Sequence, residues 1–170
     1  MPIDTKTQGD KIWDRVIRER NADIHGIHGP KHWARVERNG LYLAQDSGAD
    51  CQVISMFALF HDSCRFNDGF DPGHGERGGE YARQLRHVLE FLDEEAFEQL
   101  VFACTWHTDM THHDDPTIHT CFDADRLDLG RVGIAPEAKY LNTPVGKSLA
   151  ATNTLHLLEG APLRTAFTLK

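Results

Sequence analysis

The doublet His61-Asp62 closes the apolar run Cys51 to Phe60 (CQVISMFALF) and is followed by Ser63-Cys64-Arg65. A carboxylate delivered to the end of an apolar segment needs a compensating charge, because an unpaired buried ion is costly. A bound cation meets that need. The chain carries 11 histidines in 170 residues, and their positions matter more than their number. His32 lies one turn before Val36, on the inward side of an amphipathic pattern. His61 extends the stripe Ile54, Phe57, Ala58, and His107 ends the stripe Leu100, Ala103, Cys104. Asp125 interrupts the apolar series Ile118, Phe122, Leu129. Imidazoles and carboxylates converging from different helices suit Fe, Mn, Co, Ni or Zn, with positions left open for water and substrate. Metal lowers the pKa of a bound water from about 15.7 toward neutrality and takes up charge on phosphoryl oxygens, so no protein nucleophile is required. Asp62 can bind metal through one oxygen and orient or deprotonate water with the other.

The elements that must bring these groups together are helices. Ile12, Trp13, Val16 and Ile17 fall at helical spacing from Asp10 to Arg20, with Asp10 as the expected N-cap. A loop over His25 to Pro30 precedes a second helix that starts at Pro30 and breaks at Gly48. Cys51 to Phe60 is apolar nearly all round, which marks a central helix. Asn67 to Gly79 (NDGFDPGHGERGG) is a loop by composition and carries His74 and Arg77. Helices are then expected from Glu80 to Leu92, from a cap at Asp93 to His107, and from Thr117 to Leu129. Gly130 to Pro144 is irregular or short-helical, and Gly146 to Leu158 forms a last helix. With no strand alternation, phosphate-binding glycine loop or repeat, the class is all-α: a compact single-domain helical bundle over residues 1–170.

Five ordered pieces carry a family resemblance. They are His28-Gly29-Pro30-Lys31-His32-Trp33-Ala34-Arg35-Val36, His61-Asp62, His74-Gly75 with Arg77-Gly78, Ala103-Cys104-Thr105-Trp106-His107-Thr108, and Ala124-Asp125-Arg126-Leu127. The set resembles the HD-domain superfamily of metal-dependent phosphohydrolases over residues 24–131, leaving 132–170 as a C-terminal extension. The resemblance implies that His32, His61, Asp62 and Asp125 bind one divalent ion and that His74 and His107 add a second in two-metal members. It implies a phosphomonoester or phosphoanhydride of nucleotide-like type as substrate. The same ligand set also serves mixed-valent di-iron oxygenases of the superfamily, and a non-catalytic ligand-binding protein that keeps metal for folding is a third reading.

Lys31, Arg65 and Arg77 are the expected phosphate ligands, Arg through paired donors and Lys as a point charge. Arg65 and Arg77 are also placed beside Asp62 in catalysis. The ordinary alternative for each is a surface ion pair or loop cap, and Arg126 and Arg131 are read as structural ion-pair partners. His28 is open between substrate contact and helix cap, whereas His112 and His113 belong to a solvated loop. The segment Arg131 to Thr143 is expected to close over the site, with Tyr140 or Asn142 as contacts.

Eighteen basic against 26 acidic residues leave a formal charge of −8, which argues against holding long nucleic acid by counterion release. A small phosphorylated molecule remains suitable where metal supplies local positive charge. No run of 18 apolar residues is present and Met1 to Gln8 is polar, so no membrane partner and a cytoplasmic location are expected. Cys51, Cys64, Cys104 and Cys121 form no CxxC pair and read as reduced thiols. The sequence does not set oligomeric state.

Overall fold

In a computed structural model, which describes residues 7–164, seven α-helices are joined by loops and 3-10 turns, with no strand among the described residues. The expected all-α class is the one observed. Both ends of the expected domain span, residues 1–6 and 165–170, lie outside the described residues.

Helix α1 (Gln8–Glu19) begins two residues ahead of the expected start. Its N-cap is Thr7, whose hydroxyl accepts from the Asp10 amide at 3.2 Å while the Asp10 carboxylate accepts from the Thr7 amide at 3.0 Å. Asp10 is therefore the third-position partner of a capping box and not the cap itself. Helix α2 (Pro30–Ser47) starts on a proline, which has no amide hydrogen to leave unpaired, and stops at Gly48 in the left-handed conformation (φ 71°). Helix α3 (Cys51–Phe60) covers the expected residues, and the Asp50 carboxylate accepts from the amides of Gln52 and Val53 at its start.

Helix α4 (His74–Gln84) corrects the sequence reading, which put His74 to Gly79 in a loop and began the helix at Glu80. Its three glycines each cost roughly 1 kcal/mol of helix propensity against alanine, yet packing requires them. A Cβ on Gly75 would lie 2.3 Å from the carbonyl oxygen of Cys104, and one on Gly78 would lie 2.4 Å from that of Phe60. Bare backbone is what lets α4 lie against its neighbours at this depth. The helix ends at Gln84, and a 3-10 turn at Arg86–Val88 replaces the expected continuation to Leu92.

Helices α5 (Glu94–Trp106) and α6 (Pro116–Arg126) are capped by Asp93 and Asp115. Helix α7 (Pro144–Thr152) is shorter than the expected Gly146 to Leu158, because Thr143 caps it early and Asn153, at φ 55°, turns the chain into the 3-10 segment Leu155–Gly160. Helix α3 is the buried axis: α2, α5 and α6 pack around it, and α4 packs chiefly on α5. Trp33, Val36, Ile54, Phe57, Phe60, Leu100 and Phe122 fill the main core. A smaller cluster of Leu43, Leu127, Leu141, Leu149 and Leu158 seats the C-terminal extension.

Arg164 ties that extension to the start of the chain. Its guanidinium donates to both oxygens of the buried Glu37 carboxylate, at 2.7 Å each, pairs with Asp10 and lies 4.5 Å above the Trp13 ring. The four cysteines are free, with Cys51 exposed and the others buried. No described helix is long and apolar enough to cross a membrane.

Candidate metal centre

The ends of five helices meet at one point. His32 is the third residue of α2, His61 is the C-cap of α3 with Asp62 directly after it, and His74 opens α4. His107 is the C-cap of α5, and Asp125 sits in the last turn of α6. Three of these ends are helix C-termini, where the unpaired carbonyls carry partial negative charge and favour a cation.

Asp62 is the centre of the arrangement. Its Oδ2 faces His32 Nε2 at 3.4 Å and His61 Nε2 at 3.5 Å, whereas its Oδ1 faces His74 Nε2 at 3.3 Å and His107 Nε2 at 3.8 Å. Asp125 Oδ1 completes the first group, 3.3 Å from His32 Nε2 and 3.7 Å from His61 Nε2. Two buried triads able to hold a metal ion result, His32-His61-Asp62 and Asp62-His74-His107, sharing one carboxylate. The structure thus brings together all six side chains expected as ligands. It also turns the second oxygen of Asp62 onto the second histidine pair, where the sequence reading had reserved it for water.

Hydrogen bonding shows what these groups are short of. Each of the four imidazoles binds an oxygen through Nδ1: His32 to Asp128 Oδ2 at 2.7 Å, His61 to the carbonyl of Ala58 at 3.0 Å, His74 to that of Asp71 at 2.7 Å, and His107 to that of Cys104 at 2.7 Å. Carbonyls only accept, so Nδ1 carries the hydrogen in three rings and Nε2 is left with a bare lone pair when the ring is neutral. Those lone pairs face one another, His32 to His61 and His74 to His107, at 3.1 Å in both cases. The buried Asp62 Oδ1, Asp62 Oδ2 and Asp125 Oδ1 have no hydrogen-bond partner. A buried cluster made almost wholly of acceptors is unfavourable unless something positive enters it, so the donor set fits a divalent transition metal.

Proton affinities report the same demand for positive charge. Burial opposes a charge on His32, but the carboxylates of Asp125, Asp128 and Asp62 around it outweigh that and push its pKa up to about 10, so without metal a proton sits where the ion would otherwise supply the charge. His61 goes the other way: burial drives it down to about 3 despite the attraction of Asp62 and Asp125. Burial also lowers His74, helped by His107. Burial would raise the Asp62 and Asp125 carboxyls, but His61 and His32 hold both well below the usual range, ionised throughout the neutral region.

Basic residues divide by what they touch. Arg65 donates Nε to the carbonyl of Asn67 at 3.1 Å and an amino group to that of Gly69 at 2.6 Å, which leaves its other amino group 3.6 Å from Asp62 Oδ1. Arg77 spends a donor from each nitrogen on the loop before α4, on Cys64 and Pro72 carbonyls and on Asp71 at 2.6 Å, and stacks on the Phe66 ring. Its observed work is bracing that loop. Lys31 is exposed one residue ahead of His32 and lines neither of the two cavities that reach the ligands. His28 does line one of them with Asp62, its Nδ1 3.0 Å from Asp68.

Two residues at the site carried too little sequence signal. Asp128 binds His32 Nδ1 and takes a two-point contact from Arg35 at 2.7 and 3.0 Å, so it fixes the orientation of His32. Its clue was its place one turn after Asp125. Arg131 forms the ion pairs expected of it, but one partner is Asp125 Oδ1 at 3.6 Å, and it also binds the carbonyls of Ile27 and Asp128. Arg126 donates to the carbonyls of His107, Met110 and Thr111, holding the turn that follows α5. Asn142, a suggested substrate contact, instead binds Asp123 and the Thr111 carbonyl.

Neither a family model nor a curated protein matches the chain. Among solved structures, the chain is similar to a predicted HD superfamily hydrolase from an uncultured Thermotogales bacterium, with 26% sequence identity and a TM-score of 0.67. The match covers 88% of this chain and 87% of that one. The resemblance carried by the ordered histidine and aspartate motifs therefore extends to the fold.

Proposed function

We propose that the chain is a metal-dependent phosphohydrolase acting on a small, nucleotide-like phosphomonoester or phosphoanhydride. The observation that carries this reading is the pair of unpartnered Asp62 oxygens, each turned to the Nε2 atoms of a different pair of histidines. The hydrolase fold likeness supports it. His32, His61, Asp62 and Asp125 would hold one ion, and Asp62, His74 and His107 a second. Bound there, the metal supplies an acidified water and neutralises charge on phosphoryl oxygens.

The chain's own residues do the positioning. Asp62 stays ionised and joins the two histidine pairs, so their spacing is set by one carboxylate. Asp128 holds His32 with Nε2 toward the site. Arg65, tethered by two backbone carbonyls, keeps one amino group free beside Asp62 for a phosphoryl oxygen. That tether lowers the entropic cost of ordering a long side chain. Burial keeps His61 and His74 neutral, so both present lone pairs and not competing positive charge.

The purified protein, supplied in turn with Fe, Mn, Co, Ni and Zn, is expected to hydrolyse at least one member of a nucleotide and phosphoester panel, with metal content measured alongside. Asp62→Ala should remove that activity; turnover retained in the variant would sink the assignment. Oxygen uptake by the iron-loaded protein without phosphate release would move the chain to oxygenase chemistry.

A further inference from the structure

Among the described residues, two cavities reach the ligand cluster, and Arg65 lines both. The one on the His28 side has a volume near 290 Å³ and is walled mainly by polar and charged groups, among them Arg20, Asp23, Asp62 and Asp68, with Trp33, which is buried, and Phe66, which Arg77 covers. The one on the His74 side has a volume near 660 Å³ and includes Phe70, Trp106 and Thr108. Only the larger lies well inside the range of about 300–1,000 Å³ usual for small-ligand sites.

Its two aromatic walls keep exposed ring surface, although Trp106 also packs beside Phe102 with ring centroids 6.3 Å apart. Phe70 is 90% exposed and Trp106 42%. The loop that carries Phe70 is firmly held: Arg65 binds the carbonyls of Asn67 and Gly69, and Asp71 accepts from the Phe66 amide at 2.7 Å and from Arg77 at 2.6 Å. A loop braced on both sides of residue 70 fixes that ring in water. Phe66, also exposed, differs because the Arg77 guanidinium covers it at 3.9 Å. Trp106 is fixed by α5 and immediately precedes His107. Each aromatic is thus anchored to a chain segment that delivers a histidine of the second triad.

We infer that Phe70 and Trp106 are specificity-determining residues that clasp a planar aromatic group of the substrate in the His74-side cavity, while its phosphate lies toward Arg65 and Asp62. This rests on the phosphoester reading above and adds the side on which the organic group lies and the residues that select it. An aromatic wall recognises any π-face with little regard to its edge groups, and loss of one such stack typically weakens binding about tenfold. Arg65, common to both cavities, sits where phosphate and organic group would join.

Stopped-flow binding read before turnover tests this, with intrinsic tryptophan fluorescence, to which Trp106 contributes, as the signal and adenosine 5′-monophosphate, ribose 5-phosphate, adenosine and ribose as probes. The expected result is that adenosine 5′-monophosphate binds about a hundredfold more tightly than ribose 5-phosphate, about tenfold from each aromatic wall, and that Phe70→Ala lowers this ratio about tenfold. A ratio near one in the unaltered chain, or a ratio that Phe70→Ala leaves unchanged, overturns the inference. The outcomes also separate it from its premise. If neither phosphate probe binds better than its phosphate-free counterpart, but adenosine binds and depends on Phe70, the phosphoester reading falls and the aromatic cavity stands. If adenosine also fails to bind, both fall.

Discussion

Asp123 and Asp125 are two residues apart on α6 and have opposite surroundings. Asp123 is fully buried and satisfied: its oxygens accept from the Asn142 amide and side chain at 2.9 Å, from the Thr143 amide at 2.7 Å and from the Thr143 hydroxyl at 2.8 Å. Asp125 Oδ1 is buried with no hydrogen-bond partner, as are both oxygens of Asp62. One carboxylate is surrounded by donors from its own chain; the other faces imidazole lone pairs. Burial alone therefore says nothing about role. Internal donors make a buried carboxylate part of the fold, and their absence makes it part of a binding site.

The strongest test of that contrast is stability. Asp123→Asn leaves several buried donors facing an amide and is expected to cost at least about 3 kcal/mol in urea unfolding, since hydrogen bonds to a charged group each contribute about 1.5–3 kcal/mol. Asp62→Ala removes an unsatisfied charge, so in chelator it should melt no lower than the parent chain. Equal destabilisation by the two substitutions would erase the distinction.

Metal removal sharpens it. At a hundredfold excess over its Kd, a bound ion stabilises the folded chain by about 2.7 kcal/mol. For a chain of this size that is about 5–10 °C in Tm. Chelation should remove that increment from the parent chain and from Asp123→Asn, and change nothing in Asp62→Ala. A smaller effect is expected at Asp128, whose carboxylate orients His32: Asp128→Asn should weaken metal affinity about 10- to 100-fold, as other outer partners of metal-bound histidines do, in a competition titration against a chromogenic chelator.

The smallest effect lies at the start of α1, at a residue that touches none of the candidate ligands. Burial would raise the Asp10 carboxyl, but its bonds to Thr7 and its pairing with Arg164 hold it below the usual value. A group with a depressed folded pKa stabilises the chain above its unfolded pKa, about 3.9, and loses that contribution as pH falls through the folded value. Urea midpoints for Asp10→Asn and the parent should therefore differ near neutrality and converge below about pH 4, by no more than about 1 kcal/mol for a partly exposed pair.

The sequence made His32, His61, His107 and Asp125 legible as candidate ligands because each extends, ends or interrupts an apolar stripe, a pattern that burial imposes on any core-facing helix. His74, by contrast, lay in a glycine-rich stretch and was reached only through the family resemblance. The limits of α3 were equally plain, since Cys51 to Phe60 is apolar all round and Gly48 breaks the preceding helix. The start of α4 was hidden because glycine is a poor helix former in isolation, and the gain from backbone contact with α3 and α5 has no local signature. Asp128 escaped for a related reason: its partners His32 and Arg35 are some 90 residues earlier, so its role exists only after α6 returns to α2. Arg77 has the right chemistry for phosphate, and three of its five donors brace the loop before α4 through Asp71 and two carbonyls, a role with no sequence signature.

The glycine face of α4 bears on how many ions the site can hold. Only a missing methyl group at position 75 separates α4 from the Cys104 carbonyl, and His74 is the residue before it. Any side chain there would move the helix outward and carry the imidazole of His74 with it, while His32, His61 and Asp125 keep their own supports. On the two-ion reading, ion stoichiometry would then depend on a position that binds nothing, and a relative with alanine or larger there would be built for a single ion.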